Sequence, residues 1–308
     1  KESRPKVATS GGVLVLFGFI ITITTYLGLA EFYSPTSINV SLVLAALSSI
    51  NIIALIGLLD DIHVKSEEIE TSETPTEKLW DRITDRFGSD VDSSGDDLMD
   101  RTGLGQMSKM LFVLPAALPL ITVGAGSWSM TFPVIGTINW GLVYPLVLLP
   151  LGLLFVSNVI NMLAGTNGLS AGTSLVAASG LGVYAVLNGR TEAALIAFGL
   201  SAALLGFLKY NWYPASILPG DSMTYLCGAG LFSAMVIGNM EKFGVFIFAP
   251  WFLEFFLKLR SGFKAHSWGI IEDGKLKPQH EKNYSLTHPL MRKGLNEKEI
   301  TSVLIALE

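Results

Sequence analysis

Long apolar runs constrain this chain more than any other feature. A run of about 20 apolar residues can satisfy its backbone in hydrocarbon only as a helix, and a bilayer core of about 30 Å sets its length. Eight stretches reach or approach that length, near residues 13–30, 38–59, 109–126, 141–162, 169–188, 192–209, 222–240 and 243–258. Half of the 308 residues are apolar and only 15% are charged, which favours a membrane protein over a soluble domain. The expected fold is therefore all-α: a polytopic membrane helical bundle forming one domain over residues 1–308.

Basic residues orient the bundle. With eight spans, both ends and alternate loops share one side, and 19 of the 21 Lys and Arg residues fall there, leaving only Arg190 and Lys242 opposite. The positive-inside rule makes that side cytosolic, and one missed span would scramble the split. The net charge of −5 is local in origin. Residues 65–102 hold 12 acids and 5 bases, a net of −7, so the remaining 14 acids and 16 bases give +2. This cytosolic acidic insertion reads as partly disordered, with EKLWDRITDRF as a short surface helix inside it. On the opposite side, the uncharged stretch GAGSWSMTFPVIGTINWG reads as a small hairpin. Residues 260–296 form a cytosolic tail loop.

Four constellations could carry chemistry. Asp60 and Asp61 close the run IIALIGLLDD. They could bind a divalent cation or act on a phosphate, or simply mark a wet helix end, although acids oppose the dipole there. Asn158 and Asn161 are three apart, so they share one face of a helix end before the turn Gly165-Thr-Asn167-Gly168. Their amide oxygens suit a hard cation or a ribose hydroxyl; capping and turn formation is the plainer role. Asp221, after NWYPASILPG, reads by itself as an N-cap, although the same geometry would put a carboxylate at the rim, able to hold Mg²⁺ against a diphosphate. After the last span come Lys258, Arg260, Lys264 and His266, which read mostly as a positive-inside flank. Lys258 lies four residues after Glu254, a spacing that lets the acid tolerate the membrane rim. Lys109 opens a span and could be either a phosphate-binding point charge or a snorkelling boundary residue.

All these residues lie on the predicted cytosolic face although they come from separate segments. Carboxylates, amides and cations at one lipid boundary suit a reaction between a soluble diphosphate and a lipid phosphate. A transporter with a polar cytosolic vestibule is the alternative, but it needs ionisable groups at mid-depth and on both faces. No basic, aromatic-interleaved patch points to nucleic acid, and the single Cys227 excludes an internal disulfide.

LLDDI, NVINMLAGTNGLSAG and YNWYPASILPGDSMTY, with the opening RPKVATSGG, resemble the polyprenyl-phosphate N-acetylhexosamine-1-phosphate transferases. The similarity covers nearly the whole chain and is strongest to the archaeal and eukaryotic UDP-GlcNAc:dolichyl-phosphate GlcNAc-1-phosphotransferase branch. The bacterial muramyl-pentapeptide branch has aspartates where this chain has Ala164 and Asn167. The resemblance implies Mg²⁺, with Mn²⁺ as a substitute, held by Asn161 and Asp221. It implies that Asp60 or Asp61 deprotonates or positions the lipid phosphate, and that Lys109 binds phosphate. It places Asn167, Gly165 and Gly168 against uracil, gives Asn158 the task of holding the helix end, and assigns Lys264 and His266 to substrate. UDP-GlcNAc, a polyprenyl or dolichyl phosphate and the bilayer are the implied partners, with a homodimer as a further expectation. The family has ten transmembrane helices, so eight are expected here, one before Lys1 and one from Glu297 onward being incomplete.

Overall fold

A computed structural model of the protein describes residues 7–33, 38–66, 114–132, 135–272 and 275–308, with no side-chain description for 63–66 and 275. Lys109 and most of the acidic insertion lie outside the described residues. Helices dominate: α1 (Gly12–Tyr33), α2 (Val40–Ser66), a 3₁₀ turn (Leu114–Ala117) running into α3 (Leu118–Thr122), and a π turn (Tyr144–Leu148) running into α4 (Leu149–Met162). They continue as α5 (Leu169–Leu187), α6 (Thr191–Asn211), α7 (Gly220–Gly238), α8 (Glu241–Ile247), α9 (Ala249–Leu259), α10 (Thr287–Arg292) and α11 (Glu297–Leu307).

Five of these segments are long and apolar enough to cross a bilayer: Gly12–Tyr33, Val40–Ile62, Tyr144–Met162, Leu169–Leu187 and Thr191–Asn211. The expected span at 243–258 is divided into α8 and α9 around Phe248, just before Pro250, whose missing N–H interrupts a helix interior. Within 109–126 the described residues form only the short 3₁₀ and α3 pieces.

Helix α7 explains why a long segment can be less apolar. Every residue from Ser222 to Gly238 is buried, because α1, α2, α4, α5 and α6 pack around it. A helix enclosed by protein contacts no lipid, so small and polar residues serve close packing. A Cβ at Gly228 would run into the Ser157 backbone of α4.

Among the described residues the architecture departs from purely helical at two hairpins. β1 (Ser129–Phe132) and β2 (Gly136–Asn139) pair antiparallel with Ser129 opposite Asn139, forming the hairpin expected from that Gly-rich stretch. β3 (Gly269–Glu272) and β4 (Lys275–Pro278) make a second antiparallel pair inside the tail, where no hairpin was anticipated. The tail loop is consequently a folded unit.

Candidate active site

The site lies at one end of the bundle, where α2 and α4 finish and α5 and α7 begin. Asp60 and Asp61 do not end their helix: α2 continues to Ser66, so hydropathy fell before helicity did. The dipole argument against acids at a helix end therefore does not apply to them. Asp61 points across to α7, accepting from the Asp221 N–H at 2.7 Å, the Ser222 N–H at 3.3 Å and the Ser222 hydroxyl at 2.7 Å. These orphan N–H groups of the first turn carry the positive end of the helix dipole, so a carboxylate is their best partner.

Asp221 is thus not the N-cap that its position suggested. The N-cap residue is Pro219, which lacks a side-chain cap, and Asp61 supplies the acceptor from another helix. The Asp221 carboxylate instead accepts from Asn161 Nδ2 at 3.2 Å, joining the ends of α4 and α7. Gly57, one turn before Asp61, makes this close docking possible: a Cβ there would sit 2.7 Å from the Asp221 carbonyl and the Ser222 backbone. Asp60 is 3% exposed, and Tyr225 lies within electrostatic reach of Asp60, Asp61 and Asp221. The N-terminal segment braces the same corner, with Gly11 N–H donating to the Leu218 carbonyl and Gly12 N–H to that of Pro219, both at 3.0 Å.

The turn after α4 forms the second part of the site. Gly168 has φ +80°, a left-handed conformation suited to glycine, and packs on Trp212. Gly165 abuts the Ser267 carbonyl so closely that a side chain would collide. Asn158 donates Nδ2 to the Leu154 carbonyl at 2.8 Å, a bond within its own helix.

The tail is tied to this turn by a buried polar network. Glu254, fully buried, accepts from Ser267 Oγ and Ser285 Oγ, each at 3.2 Å, and from Leu286 N–H at 2.8 Å. Lys258 lies 3.8 Å away and donates to the Ala265 carbonyl, so the expected pairing of Glu254 with Lys258 is present. The single Ser267 hydroxyl proton is shared between Glu254 and the Met162 carbonyl, the latter at the shorter distance of 2.8 Å. His288 accepts from Tyr284 N–H through Nδ1, so its Nε2 carries the proton and donates to the His266 carbonyl at 2.9 Å. Burial holds its pKa below the ordinary histidine value, which fits this neutral ring. The His266 ring is exposed and stacked on Trp268 at 4.1 Å, while Lys264 is exposed.

The structure therefore gathers Asp60, Asp61, Asn161 and Asp221, and sets Gly165, Asn167 and Gly168 beside them through α4 and Ser267. Sequence reading missed Gly57, Ser222, His288, Glu297 and Thr301. Only Gly57 carried a local signal, as a small residue one turn from Asp61 in an apolar helix.

Fold and site together define a multi-pass helical membrane protein whose carboxylates and amides meet at one end of the bundle. The chain belongs to glycosyl transferase family 4, whose model matches residues 93–239. A Sulfolobus acidocaldarius protein, provisionally named UDP-N-acetylglucosamine–dolichyl-phosphate N-acetylglucosaminephosphotransferase, is 31% identical over 99% of this chain and 81% of its own length. The Schizosaccharomyces pombe protein of that name is 30% identical over 52% of this chain and 40% of its own length. A Prochlorococcus marinus phospho-N-acetylmuramoyl-pentapeptide-transferase is 32% identical over 51% of this chain and 45% of its own.

Proposed function

We propose that this protein transfers GlcNAc-1-phosphate from UDP-GlcNAc to a polyprenyl or dolichyl phosphate on the cytosolic face of a membrane. A lipid-phosphate oxygen bonds to the β-phosphorus, the bond from that phosphorus to the bridging oxygen breaks, and its electron pair leaves with UMP. The observation carrying this reading is the junction of Asp60, Asp61, Asn161 and Asp221 across three helices, in a chain of this family.

The residues fit a hard divalent cation. Among the described residues no three His, Cys, Asp or Glu side chains converge as a closed cage. Asn161 and Asp221 supply the side-chain oxygens that Mg²⁺ or Mn²⁺ takes alongside waters and phosphate oxygens, as magnesium sites commonly do. The ion would supply neutralisation of diphosphate charge. Asp60, at the same corner as Asp61 and Asp221, is the carboxylate that positions the lipid phosphate. Asp61 fixes where Asp221 stands, and the Gly165–Gly168 turn receives the uridine. Lys109 and the exposed Lys264 and His266 are the cationic candidates around the phosphates. The 19-to-2 division of Lys and Arg supports a cytosolic site and eight crossings.

The test is UMP release from UDP-GlcNAc by purified protein given polyprenyl phosphate, with and without Mg²⁺. Asp221→Ala is expected to abolish transfer while the protein still inserts in membranes; full activity in that variant would sink the assignment.

A further inference from the structure

A cluster that the mechanism leaves unused lies at the start of α11. Its capping box is complete without Glu297: Asn296 Oδ1 accepts from Glu299 N–H at 3.0 Å, and Glu299 Oε2 accepts from Asn296 N–H at 2.8 Å. Glu297, the other acid of the first turn, reaches 130 residues back and accepts the Asn167 N–H at 2.7 Å. One turn further along, Thr301 donates its hydroxyl to the Asn167 carbonyl at 3.0 Å. A hydroxyl has one proton, so the 2.7 Å contact between the Thr166 and Thr301 hydroxyls is donated by Thr166. Both backbone polar groups of Asn167 are thus held by α11, whereas its side-chain amide takes no hydrogen bond among the described residues.

The helix is itself anchored. Ile305 packs against Gly172 of α5, and Lys298 lies over the Tyr213 ring, 5.4 Å from its centroid, next to the Trp212 that covers Gly168. A glycine-flanked turn is loose by itself, because glycine loses more conformational freedom on ordering than any other residue. A charged acceptor on one side of a peptide unit and a hydroxyl donor on the other remove that freedom before a ligand arrives.

We propose that Glu297 and Thr301 are positioning residues for nucleotide binding: they fix the Asn167 backbone so that its amide is presented to the base of a uridine diphosphate sugar. The inference rests on the function proposed above. A preorganised turn acts on nucleotide affinity and leaves the lipid phosphate untouched.

The experiment uses the full chain in micelles, with UDP-GlcNAc and polyprenyl phosphate as substrates, and UDP for calorimetric binding. Glu297→Ala and the isosteric Thr301→Val are expected to raise KM for UDP-GlcNAc and Kd for UDP about tenfold. The KM for polyprenyl phosphate and the thermal midpoint should stay near wild type. Glu297→Gln keeps an acceptor oxygen and should remain within about threefold of wild type. Unchanged UDP affinity in Glu297→Ala and Thr301→Val, with an active wild type, overturns this inference alone. Equal losses in kcat, lipid KM and thermal midpoint would make the contact merely structural and also overturn it. A wild type that neither binds UDP nor releases UMP overturns both this inference and the function it rests on.

Discussion

Glu254→Gln tests how the tail is held to the bundle. The change keeps the side chain's shape but removes the charge facing Lys258, which is 6% exposed and 3.8 Å away. It also turns one acceptor oxygen into an amide N–H₂, which conflicts with the Leu286 N–H donor on one side and on the other forces the Ser267 hydroxyl proton wholly onto the Met162 carbonyl. Breaking one partner of a buried ion pair costs roughly 3–5 kcal/mol. The contact between Lys258 and the Ala265 carbonyl survives, so the lower end, about 3 kcal/mol, is expected. At about 1.4 kcal/mol per decade, the opening equilibrium of the tail rises about a hundredfold. Native-state hydrogen exchange over Tyr284–His288 reads this directly, because the Leu286 amide donates to Glu254. Lys258→Met alone should also accelerate exchange. The double variant Glu254→Gln/Lys258→Met should fall short of the summed effects by about 1–2 kcal/mol, since no buried charge is then left uncompensated. Exchange in Glu254→Gln within threefold of wild type, or strict additivity in the double variant, would refute the network reading.

Asp61→Ala removes the acceptor of two backbone N–H groups and one hydroxyl; a loss of about 3 kcal/mol is expected from cap and charge-assisted bonds. It should show as a lowered thermal midpoint together with lost UMP release, and an unchanged midpoint would contradict the trans-cap. Gly57→Ala drives a methyl into the Asp221–Ser222 backbone and should lower UMP release at least tenfold. Gly28→Ala, where nothing lies within 4 Å, serves as its neutral control. His288 has a folded pKa below its ordinary 6.5, so the folded state disfavours the protonated ring. Its stabilising contribution is complete above pH 6.5 and declines as pH falls below that value, until the folded pKa is passed. Exchange protection of Tyr284–His288, corrected for intrinsic rates, should therefore weaken from pH 7.5 to 5.5, and His288→Gln should flatten the profile.

The amino-acid sequence determined what depends on local chemistry. Apolar run length marked the long helices, Gly-rich spacing marked the β1–β2 hairpin, and residue type with predicted sidedness marked Asp60, Asp61, Lys109, Asn158, Asn161, Asp221 and His266 as one group. It could not divide the labour between Asp60 and Asp61. Neighbouring carboxylates are chemically identical, and they differ only by about 100° of rotation about the α2 axis. Packing of Gly57 against α7 sets that rotation, aiming Asp61 at the first turn of α7. Tertiary structure likewise decided that α7, enclosed by five helices, could be less apolar than its neighbours. It also gave Glu254 its partners between Ser267 and Leu286 and brought Glu297 to Asn167 across 130 residues. Such pairings leave no periodic trace in a chain, because a hydrogen bond between distant segments constrains two positions and nothing between them.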